Sequence, residues 1–299
     1  MAAEARNETK KVSPIGSSPR ALARSSFSTV DALPPLPETA SHILSTMGDE
    51  MVSIEDIVRV IERDPPVTAR LLGLANSAFY GQRNHVTRVS DAIGRVLGLD
   101  LTRGLVMGIS LGRSFTPSTC PGFDISRYWR YALYCATANT YLIEKIPGAS
   151  LTECQLAFTA GLLANFGLLA MAMTIPDKTS GVLQHAADQP LHTRLKRTIG
   201  FDHRDAGRAI AELWSLPEPL IKTIGANHHQ IYRGDWQTLV WTTKISQAAV
   251  SALLADVDCD EYAFELATQV ALEPALQDLL DGAAVNADGV ETLVQAVAA

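Results

Sequence analysis

The sequence is short of aromatic residues, which make up 6% of its 299 positions, while hydrophobic residues reach 47%. Ala and Leu carry the difference, and that balance favours packed helices over a β-sandwich. No stretch alternates apolar and polar residues convincingly, so the strand signature is missing as well. Cysteine is scarce. Cys120, Cys135, Cys154 and Cys259 lie far apart with no C-x-x-C pair, which argues against cysteine-bound zinc and against a disulfide framework. Reduced, mostly buried thiols in a cytoplasmic protein are expected. No glycine-rich phosphate loop is present, and no Ser-His-Asp or Cys-His triad can be argued from spacing. Residues 1–29 lack the apolar core of a secretory signal.

Basic charge is in deficit too: the net charge is −7. The first 29 residues nevertheless hold Arg6, Lys10, Lys11, Arg20 and Arg24 against Glu4 and Glu8, so the remainder is more acidic than the whole. An acidic body repels phosphate backbones, and no nucleic-acid partner is expected.

Only one run lacks charge over a membrane-spanning length, residues 157–175, AFTAGLLANFGLLAMAMTI. Gly161, Asn165 and Gly167 interrupt it, and no aromatic or basic belt flanks it. A central helix buried on every side gives the same signal, and no membrane span is expected.

What is present is helical punctuation. Residues 1–29, rich in Ser, Arg, Ala and Lys, read as a disordered basic tail. Residues 30–118 read as a small N-terminal helical lobe, and residues 119–299 as a second lobe with a C-terminal helical extension. Ser53 with Asp56, Asp64 before Pro65, Ser90, Asp124 or Ser126, Ser150 with Glu153, and Asp202 mark helix starts. Gly98 marks a stop. Gly104, Gly108 and Gly112 leave one helical face bare, which predicts close approach of another helix. The fold class is all-α, with two lobes.

Three features stand out: GLLANFG (161–167), DHRDAGRAIAELWSLPEPL (202–220) and NHH (227–229). With them go the opening LPPLP, DPPVTARLLGLANSAFYG (64–81), VSDAIGRVLGLDLTRGLVM (89–107), YW at 128–129, and LWSLPEPLIKTIGANHH (213–229). In combination these resemble the HDOD branch of the HD superfamily of metal phosphohydrolases, over about residues 30 to 235.

The resemblance implies a small lobe packed on a degenerate HD-like lobe. Catalytic HD proteins hold a divalent ion with histidines and an adjacent His-Asp pair, and the ion generates a hydroxide nucleophile. Here the resemblance places Tyr131 at the first histidine and Ala164-Asn165 at the His-Asp pair. Ala offers no donor atom, and Asn offers a neutral carbonyl in place of a carboxylate. No catalytic residue, metal or cofactor is therefore expected.

His203, His228 and His229 remain as vestigial pocket candidates. They read either as hydrogen-bonded histidines at helix ends, where a positive side chain suits the dipole, or as a residual imidazole site binding zinc or, in the protonated form, a phosphate-bearing ligand. Asn76, Ser77 and Tyr80 form a second candidate, a surface for a partner or ligand, although Asn and Ser there equally suit a helix end. Trp129 and Trp214 read as core anchors, and Cys135 and Cys154 as inert thiols. The expected role is non-catalytic bacterial signal transduction through contacts with other signalling proteins. The pathway would be a two-component or cyclic-dinucleotide one, with any sensor or enzyme partner acting in trans. Two alternatives stay open: a phosphohydrolase with a rebuilt site near Asp202, Asp205 or Glu212, and a cyclic-dinucleotide receptor using Arg130, Arg204, Arg208 or Arg233.

Overall fold

The computed structural model describes residues 18–28, 34–47, 51–81, 85–115, 120–185, 189–226, 232–255 and 261–298. Among them every regular element is helical. The chain starts with α1 (Pro19–Ser28) and then builds the smaller lobe from α2 (Glu38–Ser45), α3 (Ile54–Glu62) and α4 (Pro65–Ala75). A 3₁₀ turn (Ala78–Tyr80) follows, and α5 (Val89–Asp91) widens into a π-helical turn (Ala92–Leu97) before α6 (Leu99–Ser114). The larger lobe holds α7 (Ile125–Ile143), α8 (Leu151–Leu163), α9 (Phe166–Thr174), α10 (Pro176–Leu183), α11 (Leu191–Ile199), α12 (His203–Leu213) and α13 (Glu218–Ile224). It closes with α14 (Gln237–Ala255), α15 (Glu261–Gln269), α16 (Glu273–Leu280) and α17 (Ala287–Ala298).

Capping chemistry sets most of these boundaries. Ser53 and Asp56 form a reciprocal capping box on α3, as do Ser150 and Glu153 on α8 and Asp202 and Asp205 on α12. Each box satisfies two of the orphan amide groups at its helix start. Asp64 accepts from the Val67 amide while Pro65 opens α4, and Asp124 caps α7. Gly98, at φ 78°, ends the π-helical turn in a conformation that favours glycine. Ser90 is a correction: it sits inside α5, whose first residue follows Arg88 with no side-chain cap.

The glycine stripe of α6 meets two helices. Gly104 lies against the Phe158 ring and Gly108 against Leu162, both on α8, while Gly112 lies against the Val297 carbonyl of α17. Side chains at these positions would force α8 and α17 away from α6.

Helices near both ends of the chain pack on distant parts of it. The reading of residues 1–29 as a disordered tail is corrected over Pro19–Ser28, which is helical. Ala23 of α1 is fully buried, α1 packs on α12 of the larger lobe, and Arg20 pairs with Glu212. Local composition does not reveal this, because the burial comes from a helix about 180 residues further along. At the other end α17 packs on α4 and α6 of the smaller lobe as well as on α7. Each terminal helix thus crosses to the opposite lobe.

The long apolar run is corrected too. It is two helices, α8 and α9, broken at Ala164 and Asn165. Of the most apolar window of Leu151–Thr174, 83% is buried, so its hydrophobicity is spent on the core.

Candidate functional site

The break between α8 and α9 is where polar chemistry enters this core. Ala164 closes α8 and is buried, and Asn165 begins α9 with φ −107° and ψ 13°. Asn165 Oδ1 accepts from Gln247 Nε2 of α14 at 3.2 Å. The Tyr131 hydroxyl of α7 donates to the Gln247 carbonyl at 3.1 Å and lies 3.2 Å from Ser251 Oγ. Asn165 and the Cys135 thiol also act on the titration of this hydroxyl. Burial pushes both the Tyr131 hydroxyl and the Cys135 thiol well above their ordinary ranges, so both stay protonated. The group is neutral throughout.

Two devices hold α14 in place for this contact. Glu153 caps α8 and, with its other oxygen, accepts from the Leu239 amide at 3.2 Å in the first turn of α14. Further along, Asn139 Nδ2 donates to Thr243 Oγ1 at 2.9 Å and to the Ala157 carbonyl at 2.8 Å. Tyr131, Cys135 and Asn139 on α7 thus face Thr243, Gln247 and Ser251 on α14, each set at i, i+4, i+8. Sequence reasoning missed Gln247, Asn139 and Thr243. Their four-residue spacing on otherwise apolar helices was the available signal.

His203 belongs to a different cluster, at the start of α12. Gly167 of α9 packs directly on its backbone carbonyl, which brings α12 against the broken helix. Asp202, fully buried, accepts from the Arg204 and Asp205 amides, from the Arg204 guanidinium at 2.7 and 3.2 Å, and from Lys196 at 3.2 Å. Burial raises the Asp202 pKa, but the hydrogen bonds and charge of Arg204 outweigh it and hold the carboxyl well below its usual range. Lys244 of α14, also buried, is pushed down to about 8 by burial and by the Arg204 charge. Arg204 Nη1 is buried and makes no hydrogen bond among the described residues.

His203 itself requires a correction. Burial lowers its pKa to about 4, so the imidazole is neutral near pH 7, and its Nδ1 finds no hydrogen-bond partner among the described residues. It stands at a helix N-terminus, where the macrodipole disfavours positive charge. A protonated histidine serving a helix end does not describe it. Among the described residues no hydrogen bond links it to Tyr131 or Asn165. His228 and His229 lie outside the described residues.

The second candidate divides. Asn76 is fully occupied: Nδ2 donates to the Leu72 and Val86 carbonyls, each at 2.8 Å, and Oδ1 accepts from the Val86 amide at 2.7 Å. It ends α4 and clamps the segment that leads into α5. Ser77 Oγ is buried without a partner among the described residues. Tyr80 and its neighbour Phe79, by contrast, line a cavity that also touches α6, α7, α8 and α17. The tryptophans are core anchors as expected. Trp129 is fully buried, and Trp214 packs against Phe115 and Phe166 with ring centroids 5.4 and 5.1 Å away.

The fold is that of an all-helical, two-lobe module. The chain belongs to the HDOD domain family, whose model matches residues 33–231. An uncharacterized protein of Treponema pallidum (strain Nichols) is 27% identical over 216 residues, which is 70% of this chain but 40% of that protein. The chain thus spans less than half the length of that relative. Three solved structures share the fold. A protein of Marinobacter aquaeolei VT8, provisionally named for signal transduction, is 24% identical with a TM-score of 0.81, covering 94% of this chain and 66% of that one. A protein of Shewanella amazonensis SB2B, provisionally named a phosphohydrolase, is 22% identical with a TM-score of 0.71, covering 91% and 98%. An HDOD domain protein of unknown function from Geobacter sulfurreducens is 23% identical with a TM-score of 0.69, covering 92% of both chains.

Proposed function

We propose that this chain is a non-catalytic signal-transduction module that works through contacts with other signalling proteins in the bacterial cytoplasm. Membership of the HDOD family supports the signalling role. The observation that carries the non-catalytic reading is the Tyr131–Asn165–Gln247 network. At the positions that the resemblance assigns to metal ligands of catalytic HD proteins, Tyr131 and Asn165 are neutral and each is already hydrogen-bonded to Gln247. The divalent ions of catalytic HD proteins are held chiefly by imidazole nitrogens and carboxylate oxygens. Tyr131 and Asn165 supply a protonated hydroxyl and an amide, and Ala164 supplies nothing. These residues do not fit a divalent ion, and they offer no group that would activate water for hydrolysis.

Metal analysis of the purified full chain by mass spectrometry, with phosphoester turnover measured with and without chelator, tests this reading. Substoichiometric metal and no chelator-sensitive turnover are expected. Stoichiometric manganese, iron or zinc with chelator-sensitive hydrolysis would overturn it.

One observation favours a second reading. Arg204 Nη1 is buried without a partner among the described residues, while the rest of the guanidinium is held by Asp202. A buried arginine N–H donor suits an anion, and the receptor reading for a phosphate-bearing ligand rests on it. Calorimetric titration of the full chain with cyclic dinucleotides tests it. No heat with any of them would remove it.

A further inference from the structure

A cavity of about 450 Å³ lies where the two lobes and the C-terminal helix meet. Its walls come from Phe79 and Tyr80 of the 3₁₀ turn, from α6, α7 and α8, and from Gly289 to Leu293 of α17. That size and mixture, mostly apolar with a few polar groups, is typical of small-molecule sites. Gly289 keeps it open on one side: a side chain there would meet the Phe79 ring, 2.5 Å from the position of its first carbon.

The polar groups are one-sided. The charged residues on its walls, Asp100 and Glu144, are both acidic, and no Lys, Arg or His lines it among the described residues. Asp100 makes a long 3.4 Å contact with Arg103, and among the described residues Glu144 has no cationic partner. Lys145 is turned onto the Tyr141 ring, 4.9 Å from its centroid, and does not line the space.

Three of the hydroxyl donors on its walls are already spent. Thr137 and Thr140 donate to the Leu133 and Ala136 carbonyls, each at 3.0 Å, and Tyr141 donates to Asp278 at 2.7 Å. What those hydroxyls still offer an occupant is lone pairs. Aromatic rings at Phe79, Tyr80 and Phe158 add attraction for a cation, while the Tyr141 ring already carries Lys145. Acceptors, negative charge and π-faces around an apolar space select one chemistry.

We infer that this cavity binds a small organic cation with an apolar body, an arylalkylamine or alkylamine. The inference stands apart from the catalytic question, since none of these residues belongs to the Tyr131–Asn165–Gln247 network. An occupant would touch both lobes and α17 at once, which makes the cavity a natural input point for a module that relays signals.

The test uses the full chain and three matched probes: 4-phenylbutylamine, 4-phenylbutanol and 4-phenylbutyrate. Binding is read by saturation-transfer NMR. Occupancy is read independently by the rate at which Cys154, on the cavity wall, is alkylated by N-ethylmaleimide, followed by peptide mass spectrometry. The amine should bind best, the carboxylate worst, and the amine should slow Cys154 alkylation. Glu144→Gln, at an exposed position that leaves folding intact, should reduce the amine-over-alcohol preference by about three- to fivefold. Thr140→Trp should fill the space and abolish both signals. Equal binding of all three probes, no binding of any, or unchanged Cys154 alkylation under saturating amine would overturn the inference. So would Glu144→Gln leaving the preference intact.

Discussion

Asn165 Oδ1 accepts a hydrogen bond from Gln247 Nε2 at 3.2 Å, across 82 residues of sequence, where α9 meets α14. Gln247 is buried and Asn165 half-buried, so each amide depends largely on the other. Replacing either by Leu leaves its partner unsatisfied within the core, at a cost of about 1–3 kcal/mol. Replacing both removes the stranded partner. The double variant Asn165→Leu/Gln247→Leu should therefore be less destabilised than the sum of the two singles, with a coupling of about 0.5–3 kcal/mol. Urea unfolding of the four proteins measures it. Strictly additive losses would mean that the two amides do not act as a pair.

That pair also marks how far the sequence could be read. Helix starts were legible because capping is local: Ser53 with Asp56, Ser150 with Glu153, and Asp202 all stand where spacing places them. The α6 glycine stripe was legible as a bare face, and the motif at 161–167 holds the break through which Asn165 enters the core. Gln247 was not legible, because its meaning comes from α7 and α8, about a hundred residues earlier in the chain. Nor was the helix α1, whose polar composition reads as a tail until α12 is placed beneath Ala23. His203 looked like a charged helix-end residue, and only tertiary burial makes it neutral.

The C-terminal helix offers two anchors of unequal strength. Gly112 of α6 sits so close to the Val297 carbonyl that a side chain's first carbon would lie 2.5 Å from it. Gly112→Leu must displace the end of α17, costing about 1–3 kcal/mol. Glu291 of α17 accepts from Arg130 at 2.6 and 3.0 Å, but the two side chains are 41% and 43% exposed. Solvent screening limits Glu291→Ala to about 1 kcal/mol or less. Thermal unfolding should rank Gly112→Leu well below Glu291→Ala in stability. The opposite order would mean that charge, not packing, fastens α17.

At the other terminus, Ala23→Glu distinguishes a docked helix from a free tail. A carboxylate at this fully buried position cannot stay against α12 without a partner. The expected outcome is release of α1, read as faster trypsin cleavage after Arg20, whose side chain pairs with Glu212 in the parent protein. The remainder of the chain should keep its helical circular dichroism. Cleavage at the parent rate would restore the reading of residues 19–28 as a free tail.

Burial lowers the His203 pKa from 6.5 to about 4, opposed by Asp202 and reinforced by Arg204. The unfolded chain therefore takes up a proton near pH 6.5, while the folded chain resists until about pH 4. Between those values the unfolded state binds more protons, so stability falls as pH falls. The contribution is complete above pH 6.5 and lost by about pH 4, amounting to about 3 kcal/mol. Asp202 acts in a lower window: its depressed carboxyl stabilises the fold above the unfolded value of 3.8, and that stability is lost only below it. The two effects are thus separable on the pH axis. His203→Gln removes the imidazole but leaves Asp202 and Arg204 in place. It should flatten the fall in unfolding free energy between pH 6.5 and 4 while preserving the acid limb beneath it. An unchanged slope in that variant would place the His203 imidazole in contact with water, and would remove the argument that this cluster is sealed inside the fold.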